Sequence, residues 1–275
     1  MFNIDILNEN FNEESFSENG YLTFPAAIKP NVCESLKNAI DELEVQNTLL
    51  PIEHPALADI LIDNALQKLI RSAMGNRNYT FHHLHAARHS AGTRSLGWHH
   101  DYEQNPSRDR TGRMIHVFLY LNGLNGTIGN LLLLPGSHKL IVSRYFHSDK
   151  KLDFFENKIT VNNLPHGSMV FINSALLHAR EAMPGGERSP RYFVDMAFCQ
   201  EGVIWPPYLE TGDWRRTLRD LQVRYATEGE STISIFNENA FRKPLKDHLI
   251  ETLRLRPTIN KIRKSFLGNQ HKRLL

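Results

Sequence analysis

The chain has few cysteines and no long apolar run. Both features limit the class of protein to which it can belong. Only Cys33 and Cys199 occur among 275 residues, so a disulfide framework is not expected and a reducing compartment is favoured. No segment approaches the roughly 18 consecutive apolar residues of a transmembrane helix. The N-terminal segment is acidic and polar, unlike a secretory signal peptide. We therefore expect a cytoplasmic protein without a membrane span.

A strong net charge is also missing, but the charge is unevenly distributed. The whole chain is +2, whereas residues 241–275 contain ten Lys or Arg against Asp247 and Glu251, which makes that segment +8 and the remainder −6. A basic tail can attract nucleic acid, anionic lipid or an acidic partner. This tail lacks the interleaved aromatic residues typical of single-strand binding, so no nucleic-acid partner is expected. A solvated terminal helix is the simpler explanation.

The composition and the patterning favour one domain with three parts. A chain of this length with 41% hydrophobic residues can bury a single core. Residues 1–78 are predicted to be helical, with helical periods over Lys29–Val45 and Pro55–Met74. Residues 201–275 are predicted to form a helical, basic extension, with helices over Asp213–Tyr225 and Pro244–Arg254.

Residues 79–200 have a different texture, because short apolar runs alternate there with Gly, Pro and Asn. This pattern is typical of an all-β sandwich or barrel. The polar loop Tyr102–Arg113 is expected to be exposed. The predicted strands are Tyr79–His89, Met114–Leu121, Asn130–Leu134, Lys158–Val161, Met169–Asn173 and Arg191–Ala197.

The most informative motif is Trp98-His99-His100-Asp101, taken together with the distant His178. Two histidines and one carboxylate can hold Fe(II) on one face and leave positions for an organic co-substrate and O2. A His-x-Asp triplet alone is equally consistent with a surface turn, since the chain has fourteen histidines and thirty acidic residues. The carboxylate of Asp101 favours hydroxylation over halogenation, because a site with only two histidines would leave a position for a halide.

Three further segments accompany this motif, namely Phe16-Ser17-Glu18-Asn19-Gly20-Tyr21, the run from Gly129 to Lys139, and Pro190-Arg191. With them the chain resembles the phytanoyl-CoA dioxygenase family of Fe(II)/2-oxoglutarate oxygenases over most of residues 13–200. The run Pro135-Gly136-Ser137-His138 is the most diagnostic. We interpret His138 itself as structural, closing a turn through side-chain hydrogen bonds.

The resemblance implies a mainly β fold with flanking helices, the double-stranded β-helix (a cupin-like jelly roll). It implies Fe(II) held by His99, Asp101 and His178, with 2-oxoglutarate chelating the metal and O2 as the oxidant. It also implies an arginine that pairs with the distal carboxylate of 2-oxoglutarate. Arg191 is preferred to Arg188 for this role because it follows Pro190 and begins an alternating strand.

Two other arginines are predicted to contact the co-substrate. Arg88 lies on the strand before the metal motif. Arg180 occupies a position where many relatives carry a small hydroxyl residue, so its presence departs from the family pattern.

The strand Tyr79–His89 is unusually rich in histidine. Strand alternation would place His83 and His85 on one face and His82 on the other, which argues against a second metal site and favours hydrogen-bonded strand histidines. The polarity of this strand predicts a small polar or anionic substrate. The possible anion contacts are Arg88, Arg94, Arg180 and Arg188.

The predicted activity is hydroxylation of an unactivated C–H bond of a small polar or anionic metabolite, with succinate and CO2 as co-products. An acyl-CoA hydroxylase of the same family is the first alternative. A non-catalytic or redox-inert metal-binding jelly roll is the second.

Overall fold

Two antiparallel sheets form the centre of the fold. The computed structural model describes residues 1–46, 50–90, 93–104, 110–127, 129–183, 190–208, 213–228 and 235–241. The strands are β1 (Tyr21–Phe24), β2 (Tyr79–His89), β3 (Leu96–His99), β4 (Met114–Tyr120), β5 (Gly129–Leu133), β6 (Ile159–Val161), β7 (Ser168–Asn173), β8 (His178–Ala182) and β9 (Arg191–Gln200). Five of them form one sheet in the order β1-β7-β4-β9-β2, and four form a second in the order β3-β8-β5-β6. The predicted jelly roll with flanking helices is confirmed.

Helices cover the outer face of the larger sheet. They are α1 (Ile4–Asn10), α2 (Glu13–Asn19), α3 (Pro30–Gln46), α4 (Pro55–Asp59), α5 (Asn64–Ala73) and α6 (Asp213–Arg224). Strand β4 is buried along its whole length. Val117 and Leu119 pack into the cluster shared with the helices, whereas Phe118 and Tyr120 pack toward the smaller sheet. The larger sheet is therefore buried on both faces, which explains the near-continuous apolar runs of its central strands.

The predicted helix Pro55–Met74 is wrong as a single helix. It consists of α4, a 3-10 turn at Ile60–Ile62, and α5. Asp63 has an extended backbone, and its carboxylate accepts hydrogen bonds from the amides of Ala65 and Leu66. This N-cap starts a new helix within one continuous apolar pattern.

Strands β3 and β8 were absent from the predicted set because both are short and partly polar. The expectation of an exposed loop at Tyr102–Arg113 holds for Thr111 and Arg113 but is wrong at Tyr102, Gln104 and Gly112. Tyr102 and Gln104 are buried, and the Tyr102 hydroxyl donates to the carbonyl of Gly112 at 2.6 Å. The ring of Tyr102 packs edge-on against Trp205. This contact holds the segment that follows Asp101 against the sheet.

Some predictions fall outside the described residues. These are the helix Pro244–Arg254, the basic tail beyond residue 241, and Arg188. In the part of the chain that the structure describes, no helix has the length and apolarity needed to cross a bilayer.

The turn at Gly20 joins α2 to β1 and contacts the Pro-Gly-Ser-His run. Gly20 caps α2 in the left-handed conformation, with φ of +81°. The ring of His138 covers it and donates from Nε2 to the carbonyl of Ser17 at 3.1 Å. The structural role predicted for His138 is thereby confirmed.

Replacing Gly20 with alanine is expected to destabilise the fold through two effects. The left-handed backbone strains a residue with a Cβ by about 1–2 kcal/mol. A Cβ at this position would also collide with His138 and Leu176. Gly202→Ala is the matched control, because Gly202 has φ of +89° with no neighbouring atom in the way. Urea unfolding should show a larger loss of stability for Gly20→Ala, and equal losses in the two variants would contradict this packing.

Candidate active site

A cavity of about 360 Å³ lies between the two sheets. Its lining contains many ionisable side chains beside apolar ones. The polar residues on its wall include His83, His85, His89, His99, His116, His178, Asp101, Glu103, Asp195, Arg144, Arg180 and Arg191. Concentrated ionisable groups in one cavity are typical of an active site.

His99, Asp101 and His178 meet on the wall formed by the smaller sheet. Strands β3 and β8 pair so that His99 lies opposite His178, with ring centroids 4.2 Å apart. The two carboxylate oxygens of Asp101 lie 3.1 Å from Nε2 of His178 and 3.7 Å from Nε2 of His99. Each residue offers one potential metal-ligand atom, and these three atoms lie within 4.8 Å of one another. The structure thus brings together the three residues that the motif predicted.

Backbone carbonyls determine the tautomer of both histidines. Nδ1 of His99 lies 2.8 Å from the carbonyl of Gly97, and Nδ1 of His178 lies 3.1 Å from the carbonyl of Leu176. A carbonyl oxygen can only accept, so each Nδ1 carries the proton. Each Nε2 therefore directs a lone pair toward Asp101, the arrangement in which histidine binds a metal.

The adjacent His100 has the opposite orientation. Its Nδ1 accepts from the amide of Tyr102, and its Nε2 donates to the carbonyl of Val142 at 2.9 Å. This ring does not line the cavity and points away from the candidate metal site.

Burial and mutual charge maintain the protonation states that a metal ion needs. Burial, followed by the effect of His178, lowers the pKa of His99 to about 4. Burial alone would raise the pKa of Asp101, but the neighbouring His178 holds that pKa well below the usual range. A neutral imidazole at His99 and an ionised carboxylate at Asp101 are the forms that coordinate a divalent cation. This donor set fits Fe(II).

Arg191 is a buried cation at the other end of the cavity. Only 4% of it is exposed, and its guanidinium lies over the rings of Tyr120 and Phe193 at 5.7 Å from each centroid. Among the described residues no carboxylate pairs with it. Burying an unpaired charge is costly, so this guanidinium fits a ligand that brings its own carboxylate.

The family model for phytanoyl-CoA dioxygenase (PhyH) matches residues 45–184, which are 140 of the 275 residues. The chain belongs to this family. Membership makes it a 2-oxoglutarate-dependent non-heme iron dioxygenase, with Fe(II) as the metal and 2-oxoglutarate and O2 as co-substrates. No match is found among curated proteins.

Solved structures with the same fold include several oxygenases. EctD from S. alaskensis, with 2-oxoglutarate and 5-hydroxyectoine, has a TM-score of 0.57 at 17% identity and covers 68% of this chain and 74% of its own. The alpha ketoglutarate dependent carbocyclase SnoK from nogalamycin biosynthesis scores 0.60 at 16% identity, covering 76% and 91%. HygX from Streptomyces hygroscopicus, with nickel and 2-oxoglutarate, scores 0.59 at 16% identity, covering 75% and 94%. At such identities these similarities establish the fold.

Arg180 lies beside Arg191 on the wall of this PhyH-family cavity, and His89 connects the two. Nη1 of Arg180 lies 3.1 Å from Nε2 of His89, and Nη2 of Arg191 lies 2.9 Å from its Nδ1. Burial, then the charge of Arg191, lowers the pKa of His89 to about 3, so the ring is neutral. A neutral imidazole accepts at one nitrogen only. His89 can therefore accept a hydrogen bond from only one of the two guanidinium groups. The other remains available to an anion bound at this end of the cavity.

Arg88 lies outside the cavity. It occupies the opposite face of β2 from His89, where it pairs with Asp41 at 3.3 Å and lies over the ring of Tyr192. The physical reason is strand alternation, because adjacent residues of a strand face opposite sides. We therefore do not keep Arg88 among the residues proposed to contact the co-substrate.

Arg144 and Glu103 are site residues that the sequence analysis did not identify. Arg144 donates from Nη2 to Oδ1 of Asp101 and from Nη1 to Oε1 of Glu103, both at 3.0 Å. Arg144 comes from the irregular segment between β5 and β6, far from Asp101 in sequence. No local pattern could have indicated this contact, whereas the position of Glu103, two residues after Asp101, was a usable signal.

Arg144→Gln is expected to weaken Fe(II) binding by roughly 10–100-fold, because residues that orient a metal ligand have effects of this size. Anaerobic titration of the apo-protein with Fe(II) measures the effect. Lys150→Gln, on the same segment but facing Asp149 at the surface, is the control. Unchanged affinity in Arg144→Gln would show that Asp101 needs no support from this side chain.

Proposed function

We propose that the protein hydroxylates an unactivated C–H bond of a small polar metabolite. In this proposal His99, Asp101 and His178 hold Fe(II). Arg191 binds the distal carboxylate of 2-oxoglutarate, and Arg180 lies next to that position. The observation that carries the proposal is the arrangement of a buried two-histidine, one-carboxylate set and a buried unpaired guanidinium on one cavity.

When bound, iron supplies the oxidation of the substrate C–H bond, coupled to conversion of 2-oxoglutarate into succinate and CO2. The chain's own residues supply positioning and exclusion of water. Strands β3 and β8 hold the two imidazoles, and Arg191 orients the co-substrate through paired hydrogen bonds. The apolar side chains of Phe118, Leu131 and Phe193 line the same cavity and shield it from solvent.

The size and lining of the cavity support a small polar substrate. A volume of about 360 Å³ is at the low end of the range for ligand pockets, roughly 300–1,000 Å³, and must also contain 2-oxoglutarate. His83, His116 and Asp195 form a polar wall opposite the iron ligands. The support for an anionic substrate is narrower, since Arg88 and Arg94 are exposed and, of the predicted anion contacts that the structure describes, only Arg180 lines the cavity.

One observation favours the acyl-CoA alternative. The segment that carries Arg144 exposes large apolar side chains on which an acyl chain could lie, and one of them, Tyr145, lines the cavity. They are Leu140, Ile141, Tyr145, Phe146 and Phe154.

The cytoplasmic location expected from the cysteines stays a prediction.

Anaerobic titration with Fe(II) and 2-oxoglutarate tests the assigned site. The wild-type protein is expected to develop the weak visible charge-transfer band of the chelate. His99→Ala should abolish the band. Arg191→Ala should raise the concentration of 2-oxoglutarate needed by at least about 30-fold, because losing one partner of a buried charge pair costs about 2 kcal/mol or more.

Arg88→Ala is the matched control and should leave the titration unchanged. Metal binding without any band would favour a redox-inert jelly roll. Succinate release measured with panels of small polar metabolites and of acyl-CoA thioesters then tests the substrate class. Stimulation by acyl-CoA alone would overturn the small-metabolite proposal.

A further inference from the structure

A second set of two histidines and one carboxylate lies on the larger-sheet side of the cavity. His83 comes from β2, His116 from β4 and Asp195 from β9, and β9 runs between the other two strands. One donor atom from each residue falls within a 4.8 Å group, as in the iron set. Their side chains are 9%, 2% and 14% exposed. In the described ranges of the chain, these two sets are the clusters with metal-ligand composition and spacing.

The facing predicted for the β2 histidines is found at the cavity, which His83 and His85 line and His82 does not. That argument concerned the histidines of one strand, whereas the set described here takes one residue from each of three strands. The pairing of β2 with β9 shifts between Phe81 and His83, which indicates a bulge. His82 and His83 are in contact beside it, with their Nδ1 atoms 2.7 Å apart.

Hydrogen bonding assigns the tautomer of His83. Nε2 of His82 lies 3.1 Å from the carbonyl of Pro206 and must therefore donate. In a neutral His82 ring, Nδ1 is then the acceptor. Nδ1 of His83 is the donor in the contact between the two rings. Nε2 of His83 is the nitrogen left to bind a metal ion.

The groups around His83 leave metal-binding atoms without hydrogen-bond partners. Nε2 of His83 lies 3.9 Å from Oδ2 of Asp195, too far for a hydrogen bond. The other carboxylate oxygen, Oδ1, accepts from Nδ1 of His116 at 2.8 Å. Nε2 of His116 is buried and has no hydrogen-bond partner among the described residues. A buried imidazole nitrogen without a partner, beside a second imidazole and a carboxylate, fits a cation.

We propose that His83, His116 and Asp195 bind a divalent metal ion that is distinct from the catalytic iron and opens onto the same cavity. Two imidazoles and one carboxylate suit a borderline transition ion such as Zn²⁺, Mn²⁺ or Co²⁺. His82 is the positioning residue, because it orients His83 as backbone carbonyls orient His99 and His178. An ion here would have open positions that could hold a hydroxyl or carboxylate group of the substrate.

Binding of a metal ion by histidine displaces protons, so the test is made at about pH 8.

Metal stoichiometry is the decisive measurement. Apo-protein is equilibrated anaerobically with Co²⁺ alone, and bound metal per chain is counted by elemental analysis after dialysis against the same free Co²⁺. Wild type is expected to bind two ions. His99→Ala should bind one, and Asp195→Asn should also bind one. His85→Ala, which alters a cavity residue outside both sets, should still bind two.

The Fe(II)–2-oxoglutarate band, measured on the same preparations, shows that Asp195→Asn is folded and keeps the iron site. A single ion in wild type would overturn the proposal. Two ions in Asp195→Asn, or none in His99→Ala, would overturn it equally. Failure of the iron assignment would instead abolish the band in wild type, so the two outcomes are distinguishable.

Discussion

The pairing of β3 with β8 is the constraint on which the active site depends. These two short strands hold His99 opposite His178, and β5 fixes the position of β8 from its other side by pairing Leu133 with His178. A slip of one residue would turn His178 away from the cavity, because neighbouring strand residues face opposite sides. The register of two weak strands therefore decides whether a metal site exists at all.

Hydrophobic packing behind the smaller sheet stabilises that register. Trp98, Leu177 and Ala179 alternate with the two histidines and are buried together in a cluster on the far side of the strands. Phe155 closes the cluster with an edge-on contact to Trp98 at 5.1 Å. Burying an aromatic side chain of this size is worth more than a single hydrogen bond. The apolar residues thus force the imidazoles to face the cavity.

The polar groups of the cavity obey one rule at both donor sets. Each histidine with a free Nε2 has its Nδ1 proton committed to an acceptor, which is a backbone carbonyl for His99 and His178 and the ring of His82 for His83. These hydrogen bonds orient the imidazole rings inside the buried cavity. Arg191 has no carboxylate partner in the described structure, whereas Asp101 lies at the other end of the cavity. This difference in charge between the two ends favours one orientation of an anionic co-substrate.

The sequence by itself determined the class of fold and the family, and it indicated the two histidines and the carboxylate that the structure brings together. It could do so because strand-length apolar runs, the His-x-Asp motif and the Pro-Gly-Ser-His run are local patterns. Arg191 was likewise indicated by its place after Pro190. Only the tertiary structure decided the rest. The N-cap at Asp63 divided one helical pattern, strand pairing brought His83 together with His116 and Asp195, and alternation put Arg88 outside. Arg144 reached Asp101 from a distant segment. Each of these depends on register or on contacts between residues far apart in sequence, which no periodicity within a single segment can encode.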